Sequence, residues 1–74
     1  MSNNEDEKLK LKLKLGYLVE HWIEHCKEHN LKYIEWADKM KDVDPEIAEL
    51  LLKAVKKFQK GVEVLEEMGE LLKR

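Results

Sequence analysis

Hydrophobic residues recur every three or four positions along most of the chain. From Ile47 onward, Leu51, Ala54/Val55, Phe58, Val62, Leu65, Gly69 and Leu72 fall on one stripe at about 100° per residue. The stripe predicts a helix over 45–73. Upstream, Leu15, Leu18/Val19, Trp22, Cys26, His29, Tyr33, Trp36/Ala37 and Met40 make a matching stripe, unbroken by Gly or Pro around residue 30. It predicts a first helix over 5–41. Between them stands the only proline, in Asp42-Val43-Asp44-Pro45-Glu46. Asp44 can cap orphan backbone N–H groups, and Pro45 suits the first helical position, where its missing N–H costs nothing. Residues 42–44 are therefore the predicted turn, and residues 1–4 a disordered tail.

One segment departs from this period. Lys8-Leu9-Lys10-Leu11-Lys12-Leu13-Lys14-Leu15 alternates with period two, as a strand does. No second strand-like segment exists to pair with it, and a lone strand leaves its backbone groups unpaired. Lys and Leu both favour helix, and Glu5-Asp6-Glu7 suits a helix N-terminus. Helix is preferred; the alternative is a strand paired with the same segment of another chain.

The expected fold class is all-α: one domain, an antiparallel hairpin of two long helices. Facing residues should have numbers that total about 86, which sets Phe58 against His29, Leu65 against Trp22 and Gly61 against His25 and Cys26. Gly61 and Gly69 either weaken the second helix by about 1 kcal/mol each or admit a close neighbour. Glu28 with Lys32, Glu35 with Lys39 and Glu49 with Lys53 are spaced as favourable i,i+4 pairs. A hairpin encloses no core, and Tyr17, Ile23, Ile34, Leu50, Leu52, Val64, Met68 and Leu71 lie off the main stripes. A homodimer forming a four-helix bundle would cover them.

Composition narrows the picture. In 74 residues, 41% are charged, with thirteen Lys to one Arg and twelve Glu to four Asp. Such Lys/Glu bias is typical of long helices and of hyperthermophile surfaces. The length excludes large enzyme scaffolds. A net charge of −2 argues against a nucleic-acid partner. No apolar run approaches the ~18 residues of a membrane span, and the acidic start is unlike a secretory signal. A cytoplasmic location is expected.

Candidate chemistry is confined to His21-Trp22-Ile23-Glu24-His25-Cys26-Lys27-Glu28-His29. Neutral imidazoles at i,i+4 can hold Zn²⁺, Ni²⁺ or Co²⁺. His21 and His29 are about 12 Å apart along a helix axis and cannot share an ion. The workable chelates are His21 with His25, His25 with His29, or Cys26 with His29, with Glu24 or Glu28 nearby. Each needs further ligands, which a second subunit could supply. The competing reading makes His29 a core histidine hydrogen-bonded to Tyr33, and Cys26 a small buried hydrophobe. His21 to His25 also spells the inverted zinc-peptidase motif, but two helices offer neither a third ligand nor a cleft. A Cys26–His29 thiolate pair is disfavoured because both are expected in the core. Trp22 and Trp36 are expected to be core anchors. The Lys8–Lys14 run is expected to be a solvated face.

The run from His21 to His25, followed by Glu28-His29 and Glu35-Trp36-Ala37, resembles a pattern in small helical domains of archaeal proteins that lack an assigned activity. Cys26 and Asn30-Leu31 depart from that pattern. The resemblance implies an all-helical cytoplasmic domain and no substrate. The chain is thus expected to be a non-enzymatic, self-associating interaction or scaffold module with an unidentified protein partner and no required cofactor. The alternative is a small metal-binding protein using His21, His25 and His29.

Overall fold

The computed structural model describes residues 3–74 and contains two helices, α1 (Asn3–Met40) and α2 (Pro45–Leu72). They pack antiparallel as a hairpin measuring 64 × 14 × 13 Å between Cα extremes. There is no strand among the described residues, so the Lys/Leu alternation is wound into α1. Asn3 and Asn4, assigned above to a disordered tail, are helical, while residues 1–2 lie outside the described residues. Acidic Glu5 and Asp6 occupy the first turn of α1, where the helix dipole favours negative charge.

The turn follows from its residues. The Val43 and Asp44 amides donate to the Met40 carbonyl at 3.0 and 2.7 Å, which closes α1. The Asp44 carboxylate then accepts from the Ile47 amide at 3.3 Å, with Pro45 opening α2.

The contact between the helices is a heptad seam. On α2 it runs through Ala48, Leu51, Val55, Val62, Leu65, Gly69 and Leu72, close to the predicted stripe, except that Ile47 and Phe58 are largely exposed. On α1 it runs through Val19, Ile23, Cys26, Asn30, Tyr33, Ala37 and Met40. This corrects the expectation for α1. Trp22, His29 and Trp36 are each one position off the seam and exposed, while Ile23, placed off the stripe above, lies on it. The physical reason is size. One column of each helix supplies mainly small residues, Gly16, Ile23, Asn30 and Ala37 on α1 and Ala48, Val55, Val62 and Gly69 on α2. Small side chains let the backbones approach, and indoles at these positions would hold them apart.

The register also differs. Tyr33 and Phe58 rings stand 5.7 Å apart, Lys27 Nζ reaches Glu66 Oε2 at 3.9 Å, and a Cβ on Gly69 would lie 3.9 Å from Val19 Cγ1. Facing residue numbers therefore total 88 to 93 rather than 86. Neither Gly61 nor Gly69 is required by a close contact within the hairpin: a Cβ on Gly61 meets nothing within 4 Å. The ion pairs within 4.0 Å among the described residues are Lys27–Glu66, Lys41–Asp38 and Lys73–Glu70, and the three i,i+4 pairs expected above do not close. Lys39 sits instead over the Trp36 ring, 4.6 Å from its centroid.

The buried residues are Val19, Ala37, Ala48, Val55, Val62 and Asn30. Asn30 is the polar exception, and its Oδ1 has no hydrogen-bond partner. An unpaired buried amide oxygen costs about 1–3 kcal/mol, while a lone Asn at such a seam position fixes register at the expense of stability. Asn30→Val is therefore expected to raise the urea midpoint of unfolding, by about 1–3 kcal/mol in stability. A lowered midpoint would mean that the amide is satisfied.

Candidate functional site

The three histidines occupy successive turns of α1 and form a ladder of rings. His21 and His25 centroids are 5.8 Å apart, His25 and His29 4.6 Å, and His29 and Tyr33 6.1 Å. The ladder continues across the seam from Tyr33 to Phe58. Only one rung is a polar contact: His29 Nε2 and His25 Nε2 are 3.2 Å apart. One ring must then donate an N–H while the other presents its lone pair. The expected His29–Tyr33 hydrogen bond is replaced by ring-to-ring proximity.

The predicted ligand residues separate into three groups. His25 and His29 are together and exposed. His21 is exposed one turn earlier, within ring contact of His25. Cys26 is half-buried in the seam, away from the exposed imidazoles, so neither the Cys26–His29 chelate nor the thiolate pair is assembled. Glu24 is exposed and follows the seam residue Ile23 by one position, on the flank opposite His29. No group of three or more His, Cys, Asp or Glu converges on a possible ion position among the described residues. The expectation that His29 belongs to the core is overturned, because the seam turns toward Asn30 next to it.

The second feature is a surface. Residues one step after the seam, Lys27 and Glu66, meet on one flank of the hairpin. Residues one step before it, Trp22, His29 and Trp36 on α1 and Ile47, Ala54, Gly61 and Met68 on α2, therefore share the other flank. Extended outward, this flank carries a second 3–4 repeat on each helix. On α1 it is Leu11, Leu15, Leu18, Trp22, His25, His29, Lys32 and Trp36. On α2 it is Ile47, Leu50, Ala54, Lys57, Gly61, Val64, Met68 and Leu71. These sixteen positions include eleven apolar residues and no Asp or Glu. Many are open to solvent: Leu11 is 67% exposed, Trp36 54% and Leu50 59%. The opposite flank also has exposed Tyr17, Leu31 and Ile34, but Glu20, Glu24, Asp38, Glu63, Glu66 and Glu70 interrupt it. Sequence reasoning found these apolar residues but not their division into one acid-free face. Reading both helices as parallel 3–4 repeats, offset by one position from the seam, would have revealed it.

Comparison with known proteins places the chain in a family. Residues 15–72 match the family described as Domain of unknown function (DUF8180). The chain belongs to that family. An uncharacterized protein of Archaeoglobus fulgidus is 37% identical over 59 residues, covering 80% of this chain and 95% of the relative. No solved structure matches the chain. The resemblance to archaeal domains without an assigned activity thus holds at the level of the family. The matched region spans the whole seam and begins just after the Lys8–Lys14 run. No helix among the described residues is long and apolar enough to cross a membrane.

The imidazole contact has a spectroscopic consequence. With both rings neutral, His25 and His29 should adopt opposite tautomers, one protonated at Nε2 and the other at Nδ1. A long-range proton–nitrogen correlation spectrum reads this directly. Finding both rings protonated at Nε2 would show that the contact is absent in solution.

Proposed function

We propose that the protein is a non-catalytic self-associating module, in which two hairpins pair through the acid-free flank to make a four-helix bundle. The observation that supports this is the second 3–4 repeat, present on both helices and on the same side of the hairpin. A helix needs one apolar stripe to pack against one neighbour, and each helix here carries two. The hairpin seam satisfies the first stripe. The second is left facing water with Trp22, Trp36, Leu18, Leu50, Val64 and Leu71 on it.

The occupant we favour is a second copy of this chain. The flank is mostly apolar, with Lys32 and Lys57 as its lysines, so burial of apolar surface rather than ion pairing would carry the contact. It is long, straight and heptad-spaced, which suits another helical hairpin. It also pairs large with small: by the observed register Trp36 lies across the seam from Ala54, and His29 from Gly61. Such a bundle would act as a scaffold or docking unit, in keeping with a reducing cytoplasm where the single Cys26 stays unpaired.

Sedimentation equilibrium in metal-free buffer tests the reading. At micromolar concentration the mass should be twice the chain's 8.8 kDa. Trp36→Glu combined with Leu50→Glu should return it to one chain, because both remove large apolar surface from the contact and put a carboxylate that must be desolvated in its place. Leu31→Glu, on the opposite flank, should leave the dimer intact. A single-chain mass for the unaltered protein, with cooperative unfolding retained, would contradict the proposal.

A further inference from the structure

We propose that His25 and His29 are half of a transition-metal site that a second copy completes, so that one divalent ion of the Zn²⁺, Ni²⁺ or Co²⁺ class is held between two chains. This rests on the self-association reading above, and adds to it a ligand and a position.

The pair has the geometry of a chelate. Two nitrogens bound to one tetrahedral ion at about 2.0–2.1 Å stand about 3.3 Å from each other. In the hairpin the two Nε2 atoms are already 3.2 Å apart, one helical turn from each other and exposed. An ion entering between them would replace a shared proton without rotating either ring far. Imidazole nitrogen suits borderline ions of this class rather than Ca²⁺ or Mg²⁺, which take oxygen.

One chain cannot finish the site. No third ligand converges there among the described residues, Cys26 is in the seam, and His21 is a further turn away. Two protein ligands alone hold such ions weakly. A second copy supplies the rest if its own pair lies opposite, and the sequence of the flank favours that alignment. Suppose two α1 helices cross antiparallel about a twofold axis on the acid-free flank, midway along the helix between His25 and His29. Facing residues then have numbers that total 54. His25 faces His29 of the other chain, and His29 faces its His25. The same register sets Leu18 against Trp36 and Trp22 against Lys32, whose ammonium can lie over the indole. Leu18, Trp22 and Trp36 thus each gain an apolar or cation–π partner, and Leu15 meets the stem of Lys39. The alignment that buries the repeat also brings four imidazoles to one point. Four neutral nitrogens around one ion form a closed tetrahedral set, which stabilises an assembly rather than leaving an open position for catalysis. Because the ion binds the paired state far more tightly than the single chain, its uptake tightens pairing by mass action.

Cobalt titration of the metal-free full chain, followed by visible absorption and by sedimentation, tests this. The expected result is one ion per two chains, a tetrahedral cobalt spectrum, and dimer dissociation shifted to lower concentration. His25→Ala and His29→Ala should each weaken uptake at least about tenfold, since losing a ligand costs no less than losing its supporting contact. His21→Ala should leave it unchanged. All three positions are exposed, and helical circular dichroism verifies that each variant folds. A chain that is dimeric but takes up no cobalt would overturn the metal site and leave the self-association standing. A chain that stays single, whether it takes up one ion or none, would overturn both. Equal weakening by His21→Ala would overturn the assignment of the ligands.

Discussion

Each helix of this hairpin has one neighbour, and the two meet along a line. That geometry limits burial to the residues that point directly across it. A column of small side chains on each helix brings the backbones close, and among the described residues only five hydrophobic residues and Asn30 become buried. Everything wider than the seam remains on the outside. The bulky residues Trp22, Trp36 and Phe58 are therefore displaced to its edges. The exposed apolar flank is a direct consequence of this close, narrow contact. So is the exposure of His29, which sits one position from Asn30 and shares none of its burial.

Much of the fold was legible in the residues. Asp44-Pro45-Glu46 marks the start of α2 because its side chains answer known needs of a helix N-terminus, and the Asp44 cap is in place. The Lys/Leu alternation was resolved toward helix by the absence of a pairing strand. The rotation of α1 was harder to read. Its apolar residues lie in two adjoining columns, one with Trp22 and Trp36, the other with Ile23, Asn30 and Ala37. Hydrophobicity favours the first column and close packing favours the second. The polar Asn30 made the true seam look less like a core. Because the helices contact along small residues, sterics decided the outcome.

The same displacement shapes the candidate site. The spacing of His21, His25 and His29 was visible from sequence, but not which two rings would meet. The structure brings His25 and His29 to 3.2 Å and leaves Cys26 in the seam. The ligand set that spacing allowed is thus reduced by which side of α1 faces α2. A pair of imidazoles in the middle of an otherwise apolar repeat links the two proposals: the surface that calls for a partner is the surface that holds the nitrogens.

In the proposed dimer this one flank is covered by another copy. Both tryptophans of the chain, Trp22 and Trp36, lie on it and none lies elsewhere, so their fluorescence reports on that flank alone. Acrylamide quenching across a dilution series that spans the dimer-to-monomer transition is the most direct measurement. Blue-shifted, protected emission is expected while the chain is paired, and red-shifted, readily quenched emission on dilution, with the change tracking the mass. Indoles that stay equally accessible in the dimer and the monomer would contradict it, because the chains would then be pairing through another surface.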